Sequence, residues 1–225
     1  MADDDALDNP IWSALTGPLK HHAEIRGRAA RFDPGISLFT AVGAPDGWAD
    51  LAALLGPGAE ALISGPFLDP PAGWAPLTRY AGVQLVGTGV RGRADPRAVT
   101  LTTADTPEIL DLVARTTPGP FRDRTVELGG YLGVRDGGRL VAMAGERLRA
   151  PGFTEISAVC TDPAYRGRGL AARLSLAVAA NIQARGDTPF LAALATNTRA
   201  VGLYERLGFR FRREVTFASL RTPDR

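Results

Sequence analysis

The sequence predicts an α/β protein built around a mixed sheet. Three observations carry this reading. Strand-like and helix-like stretches alternate through the second half of the chain. A glycine-rich loop there leads from a strand into a long amphipathic helix. The length, 225 residues of which 45% are hydrophobic, is enough for one large domain or two small ones, each with a core. The polar segment Val90-Arg91-Gly92-Arg93-Ala94-Asp95-Pro96-Arg97 contains Gly and Pro and reads as a linker. It divides a smaller N-terminal α/β domain, 1–98, from a second domain, 99–225.

In the first half, Asn9-Pro10 before Ile11-Trp12-Ser13 predicts a helix start, with Pro in the first turn. Residues 36–42, 61–64 and 80–86 have strand character, and 48–55 reads as a short helix ended by Gly56-Pro57. No catalytic motif is legible in this half. His21 and His22 are adjacent, an arrangement in which side chains usually point apart, and they read as surface residues.

The second half is more orderly. Residues 99–102 predict a strand, and Thr106-Pro107-Glu108 opens a helix to about Arg115, with Thr106 as N-cap. A second short helix is expected over 122–127. Residues 131–134 and 139–143 form strands joined through Asp136-Gly137-Gly138, because Gly supplies the positive φ of a tight hairpin turn. Residues 155–160 are the next strand. A helix is expected over 169–185, where Leu170, Leu174, Val178 and Ile182 share a face and Gly186 stops it. A strand over 190–195, a helix over 198–207 and a strand over 211–220 follow, giving the order β-α-α-β-β-β-α-β-α-β.

The net charge is +2, so the chain has no overall nucleic-acid footprint. The charge is unevenly placed. Residues 166–225 carry eleven Arg against four acids, an excess that suits an anionic partner such as a phosphate-bearing cofactor and equally suits solvated helix surfaces. Cys160 is the single cysteine, which excludes an intrachain disulfide and fits a reducing compartment. No apolar run reaches the ~18 residues of a membrane span. The opening Met1-Ala2-Asp3-Asp4-Asp5 lacks the basic start and apolar run of a signal peptide. A soluble cytoplasmic protein is expected, without membrane or nucleic-acid partners and either monomeric or homodimeric. No His/Cys/Asp cluster has metal-ligand spacing, so no metal is expected.

Tyr165-Arg166-Gly167-Arg168-Gly169-Leu170-Ala171 is the informative stretch. A Gly-rich turn at a helix N-terminus aims unpaired N–H groups and the positive end of the helix dipole at one point, where a phosphate can sit. A P-loop requires Gly-Lys-Ser/Thr, which is absent. Gly167, Gly169 and Ala172 satisfy a dinucleotide-binding G-x-G-x-x-A. However, residues 161–166 separate the strand from the first glycine, and Asp187 precedes a strand where the fingerprint's acid should end one. An acyl-CoA pyrophosphate loop and an ordinary two-glycine loop remain.

The neighbouring residues add a resemblance. Arg166-Gly167-Arg168-Gly169-Leu170-Ala171 resembles the Gln/Arg-x-x-Gly-x-Gly/Ala motif of the GNAT acetyltransferase superfamily, and Asp162-Pro163-Ala164-Tyr165 is similar to the turn before it. The stretch from Asn197-Thr198-Arg199-Ala200 through Leu203-Tyr204 to Gly208-Phe209 resembles the family's Asn-x-x-Ala-x-x-Leu-Tyr-x-x-x-Gly-Phe segment. The resemblance covers about residues 99–220. The two-part layout is similar to the branch related to glycine N-acyltransferases, whose first half resembles a degenerate copy of the same fold.

The resemblance implies the GNAT fold, with a central sheet that splays to admit acetyl-CoA. It implies direct transfer of the acyl group to an amine, on a small molecule or a peptide, in a ternary complex. The pantetheine arm would pair with the strand end at Val159, Cys160 and Thr161, and the pyrophosphate would rest on the amides of Gly167, Arg168, Gly169, Leu170 and Ala171, with Arg166 and Arg168 adding charge. Asn197 would touch the cofactor or simply cap its helix. Tyr204 would protonate the leaving thiolate, and Glu155 would relay the amine's proton. Val159, Cys160 and Tyr204 also read as core residues, and Glu155 as a strand charge. A non-catalytic acyl-CoA sensor is the rival from another class.

Overall fold

The computed structural model describes residues 4–224; Met1, Ala2 and Asp3 of the acidic start and Arg225 lie outside them. Helix α1 (Pro10–Thr16) follows a 3-10 turn at Asp4–Leu7. Next come β1 (Ala23–Arg26), β2 (Ala29–Phe32), β3 (Phe39–Val42), α2 (Trp48–Leu55), β4 (Glu60–Ile63) and β5 (Ala75–Val86). The second half contributes β6 (Val99–Leu101), α3 (Thr106–Thr116), β7 (Tyr131–Asp136), β8 (Arg139–Ala150), β9 (Phe153–Thr161), α4 (Leu170–Ala184), β10 (Thr188–Leu194), α5 (Thr198–Arg206) and β11 (Arg210–Arg221).

Most expected elements are present. The short helix expected over 122–127 is instead a single 3-10 turn, Thr125–Leu128, pinned when Thr125 Oγ1 donates to Ile36 O and accepts from Arg122 N. The strand expected over 36–42 starts at Phe39, because Asp33 O takes the amides of Ile36 and Ser37 in a turn. The β1–β2 hairpin was not anticipated; Gly27 turns it at φ 49.

All eleven strands found among the described residues join one sheet, ordered β1-β2-β3-β4-β11-β5-β10-β9-β8-β7-β6. Two pairs are parallel, β3 with β4 and β9 with β10, and a helix bridges each pair, α2 and α4 respectively. This mixed sheet with helices matches the expected fold class. The two halves exchange strands at the centre, where β11 lies between β4 and β5 while β5 lies between β11 and β10. The boundary at 98/99 is thus a division of the chain and not of the sheet. One core cluster also crosses it, uniting Leu7, Ile11 and Leu15 with Leu148, Phe153 and Phe190.

The segment between β5 and β6 lies along α4. Arg93 N donates to Leu176 O, Gly92 N donates to Gln183 Oε1, and Arg173 makes a two-bond fork of 2.7 and 2.8 Å to the buried Asp95. No described helix is long and apolar enough to cross a membrane.

Candidate active site

Two irregularities in the sheet create the site. Strands β9 and β10 pair only from Phe153 to Glu155 against Thr188 to Phe190, and beyond that point no pairing joins them. The rest of β9 therefore presents one backbone edge to the gap. In the same stretch, β8 and β9 change register between Met143↔Cys160 and Gly145↔Ser157, so Ala144 opposes two residues. Ala158 absorbs the extra residue at φ 52, an uncommon conformation for a side-chain-bearing residue. Such a bulge kinks the strand and re-aims the residues after it, Val159, Cys160 and Thr161.

After β9, Asp162 caps a 3-10 turn by accepting from Ala164 N at 2.9 Å. Its carboxylate also accepts from Arg115 on α3 and pairs with Arg139 at 3.5 Å, which fixes the loop to two other elements. Gly167 and Gly169 both sit at positive φ, 79 and 73, and neither has an atom within 4 Å of where a Cβ would stand. The reason for glycine is therefore backbone conformation and free approach, not crowding. Gly169 is the N-cap of α4 and has no side chain with which to cap it, so the first-turn amides face the loop. Arg166 donates to Thr161 O at 3.4 Å, and the Arg168 guanidinium stacks on Tyr165 at 4.7 Å. The predicted residues 159–161 and 166–171 thus gather along one path from the free edge of β9 to the start of α4.

Asn197 caps α5, its Oδ1 accepting from Ala200 N at 3.2 Å. Tyr204, on α5, is buried edge-on against Phe209, with centroids 5.8 Å apart. Burial, assisted by the Cys160 thiol, pushes its phenol up to about 12. Cys160 is itself buried, and burial raises its thiol despite hydrogen bonds from Thr116 and the Met143 backbone. It is therefore a poor source of thiolate at neutral pH.

Glu155 lies at the last position of β9 that pairs with β10, and is 2% exposed on its side chain. Both its oxygens accept from Arg147, at 2.8 Å each. Arg147 was not singled out from the sequence. The available signal was its parity, since Met143, Gly145 and Arg147 fall on one face of β8, where a charge must find a partner. Burial opposes its charge, but Glu155 outweighs burial and raises its pKa. Phe39 covers the guanidinium at 4.7 Å. Arg147 and Glu155 border a cavity of about 350 Å³ whose other walls come from β5, β10, β11, Phe39 of β3, the segment from Ser64 to Leu68 and the N-terminal residues Leu7 to Ile11. The first half of the chain therefore walls this cavity. Among the described residues no group of three or more His, Cys, Asp or Glu could hold a metal.

Comparison with known proteins agrees with this geometry. The family described as FR47-like protein matches residues 131–218. Residues of this chain are 42% identical over 82 positions to N-alpha-acetyltransferase RimI of Mycobacterium tuberculosis; the match takes in 35% of this chain and 51% of that protein. The chain thus spans about half the length of that curated relative. The crystal structure of a GNAT-family protein from Novosphingobium aromaticivorans is 43% identical and superposes with a TM-score of 0.89, over 95% of this chain and 97% of the other. A GCN5-related N-acetyltransferase from Kribbella flavida shares the fold at 18% identity, with a TM-score of 0.63 over 95% of this chain and 94% of that one. A full-length relative at this identity, together with the splayed strands and the glycine loop, makes the chain a member of the GNAT family of N-acetyltransferases.

Proposed function

We propose that the protein transfers an acetyl group from acetyl-CoA to an amine by direct attack in a ternary complex. The observation that carries this reading is the gap between β9 and β10, which adjoins the glycine loop on one side and the walled cavity on the other. A pantetheine arm entering the gap pairs its amides with the free edge of β9, as an added strand does. Its pyrophosphate lies on the amides of 167–171, where Arg166 and Arg168 add positive charge. A backbone N–H at Val159 polarises the thioester carbonyl.

The acceptor occupies the cavity. Glu155 borders it, and each of its oxygens retains a lone pair beyond the bond from Arg147, able to take the ammonium proton directly or through water. Tyr204, neutral at physiological pH, supplies a proton to the departing thiolate. Attack of the free amine on the thioester carbon forms the C–N bond, the C–S bond breaks, and the sulfur leaves as thiol. The raised thiol of buried Cys160 argues against an acyl-cysteine intermediate.

Release of free thiol from acetyl-CoA, measured across a panel of amines with both substrates varied, tests the reading. Intersecting double-reciprocal lines are expected, and parallel lines would overturn the ternary complex. Binding of acetyl-CoA without thiol release from any amine would instead support a non-catalytic acyl-CoA sensor.

A further inference from the structure

We infer that the Arg147–Glu155 pair selects an acceptor that carries a carboxylate close to its amine. This rests on the cavity being the acceptor site of the proposed acyl transfer. A guanidinium has five N–H donors arranged along two edges. Glu155 occupies one edge, that of Nε and Nη2. The other edge, Nη1 with the second N–H of Nη2, has no partner among the described residues. This edge is not sealed off, since it sits on a residue that borders the cavity and retains 12% of its side-chain exposure, so a ligand in the cavity can reach it. The free edge has the spacing that accepts a carboxylate through two parallel bonds.

The guanidinium is also held in place. Glu155 fixes its plane from one side and the Phe39 ring covers a face at 4.7 Å, so a ligand meets a donor fork that needs little ordering. Other charges on the cavity wall do not compete for the same group. Asp8 accepts from both Arg213, at 2.7 Å, and Arg212, at 2.8 Å, and with Glu214, also on the wall, these four charges sum to zero. Arg147 and Glu155 are likewise neutral as a pair, which disfavours a ligand of large net charge and favours a zwitterion. The ligand's carboxylate then lies on Arg147 while its ammonium lies toward Glu155. An amine and a carboxylate on one or two adjacent carbons match two side chains that touch each other. The remaining walls include Leu7, Ile11 and Phe190, which take an apolar side chain.

The test uses the full-length protein saturated with CoA. Glycine, leucine and phenylalanine are compared by calorimetry with their amides and with methylamine, isoamylamine and phenethylamine. In at least one set the acid is expected to bind about tenfold or more tightly than either analogue, the scale of a charge-assisted fork. The double variant Arg147→Met/Glu155→Met leaves no unpaired buried charge and is expected to bring acid and amide to within about twofold, with CoA affinity unchanged. Equal binding of acid and amide by the unaltered protein in every set overturns the inference, and this arm needs no variant to fold. Thiol release from acetyl-CoA is followed with the same compounds. Release without preference for the acid also overturns the inference and leaves acyl transfer standing. A preference in binding with no release from any amine upholds the carboxylate site and overturns acyl transfer.

Discussion

Tyr204 and Tyr131 are both buried phenols, and their surroundings set opposite expectations. The Tyr204 hydroxyl makes no hydrogen bond among the described residues, and its ring packs on Phe209. Tyr204→Phe keeps that packing, so melting curves should overlap. Turnover at saturating acetyl-CoA should fall by about tenfold or more, without a matching loss of cofactor affinity. Full turnover in the variant would leave solvent as the proton source. The raised phenol value also has a pH consequence. The neutral form is favoured by the fold, so its contribution to stability is complete below the ordinary value of 10.0 and is lost as pH climbs through about 12. Any alkaline fall in turnover below pH 10 therefore belongs to another group and should persist unchanged in Tyr204→Phe. Tyr131 differs because its hydroxyl is fully buried without a partner among the described residues, while its ring crosses Gly145, where a Cβ has no room. Burial pushes its phenol far up, with Arg147 opposing. Tyr131→Phe removes an unsatisfied group and should melt at the same temperature or higher, by about 2–4 °C for each kcal/mol recovered. A clear drop would mean that the hydroxyl has a partner in solution.

At the scale of elements, the glycine loop and α4 can be separated by chemistry. Gly169→Ala and Gly169→Asp both place a Cβ in free space at φ 73, at a cost of about 1–2 kcal/mol that is no greater for aspartate than for alanine. Only the second places a carboxylate beside the helix N-terminus. The alanine variant should keep measurable CoA affinity and the aspartate variant should lose it in calorimetry. Equal affinities would move the phosphate site elsewhere. Farther along the same helix, Asp95 ties the 90–97 segment to Arg173. Burial raises the Asp95 carboxyl, but the Arg173 fork and the Arg97 amide outweigh it and hold the group below the ordinary 3.8. The stabilisation is therefore present above that value and lost as pH falls through the depressed one. Asp95→Asn should lower the melting temperature at pH 7, and the gap to the unaltered protein should shrink as the pH is taken well below 3.8.

The whole molecule is held by the exchange of β5 and β11. A fragment of residues 99–225 lacks β5, which pairs with β10 on one side and with β11 on the other. It also lacks Leu7, Ile11, Leu15 and Ile36, all 1% exposed or less. At about 1.5–3 kcal/mol for each large buried side chain, these four alone match the net stability of about 5–15 kcal/mol typical of a domain. The fragment should show no cooperative melting by circular dichroism, and co-expression with residues 1–98 should restore a soluble complex. A fragment that melts cooperatively and binds CoA alone would show that the second half is self-sufficient. The N-terminal half repeats the pattern of the second, since β3-α2-β4 and β9-α4-β10 are both parallel units with a bridging helix. We propose that residues 1–98 are a degenerate copy of the same unit, in which Asp46 and Gly47 precede the helix and neither Gly43 nor Gly47 adopts the positive φ of Gly167 and Gly169.

Most elements of the second half were legible because each has a local cause: a Gly-Gly hairpin turn, a four-residue apolar spacing on α4, and Asn197 ahead of α5. The glycine loop was legible for the same reason, since φ values of 79 and 73 strongly favour glycine. Tertiary structure decided the rest. The β1–β2 hairpin buries little of β1, so its sequence has little alternation to read. The insertion of β5 beside β10 joins residues about a hundred positions apart, for example Val86 with Phe190, and strand residues alone do not specify such a partner. The Arg147–Glu155 pair lies in a second irregularity of β8 on β9, between Glu146↔Ile156 and Arg149↔Thr154, and its cavity exists only because Leu7, Ile11 and Phe39 arrive from the other half of the chain. Local conformation was set by the residues that adopt it, whereas the contacts that shape the cavity were set by which strands met.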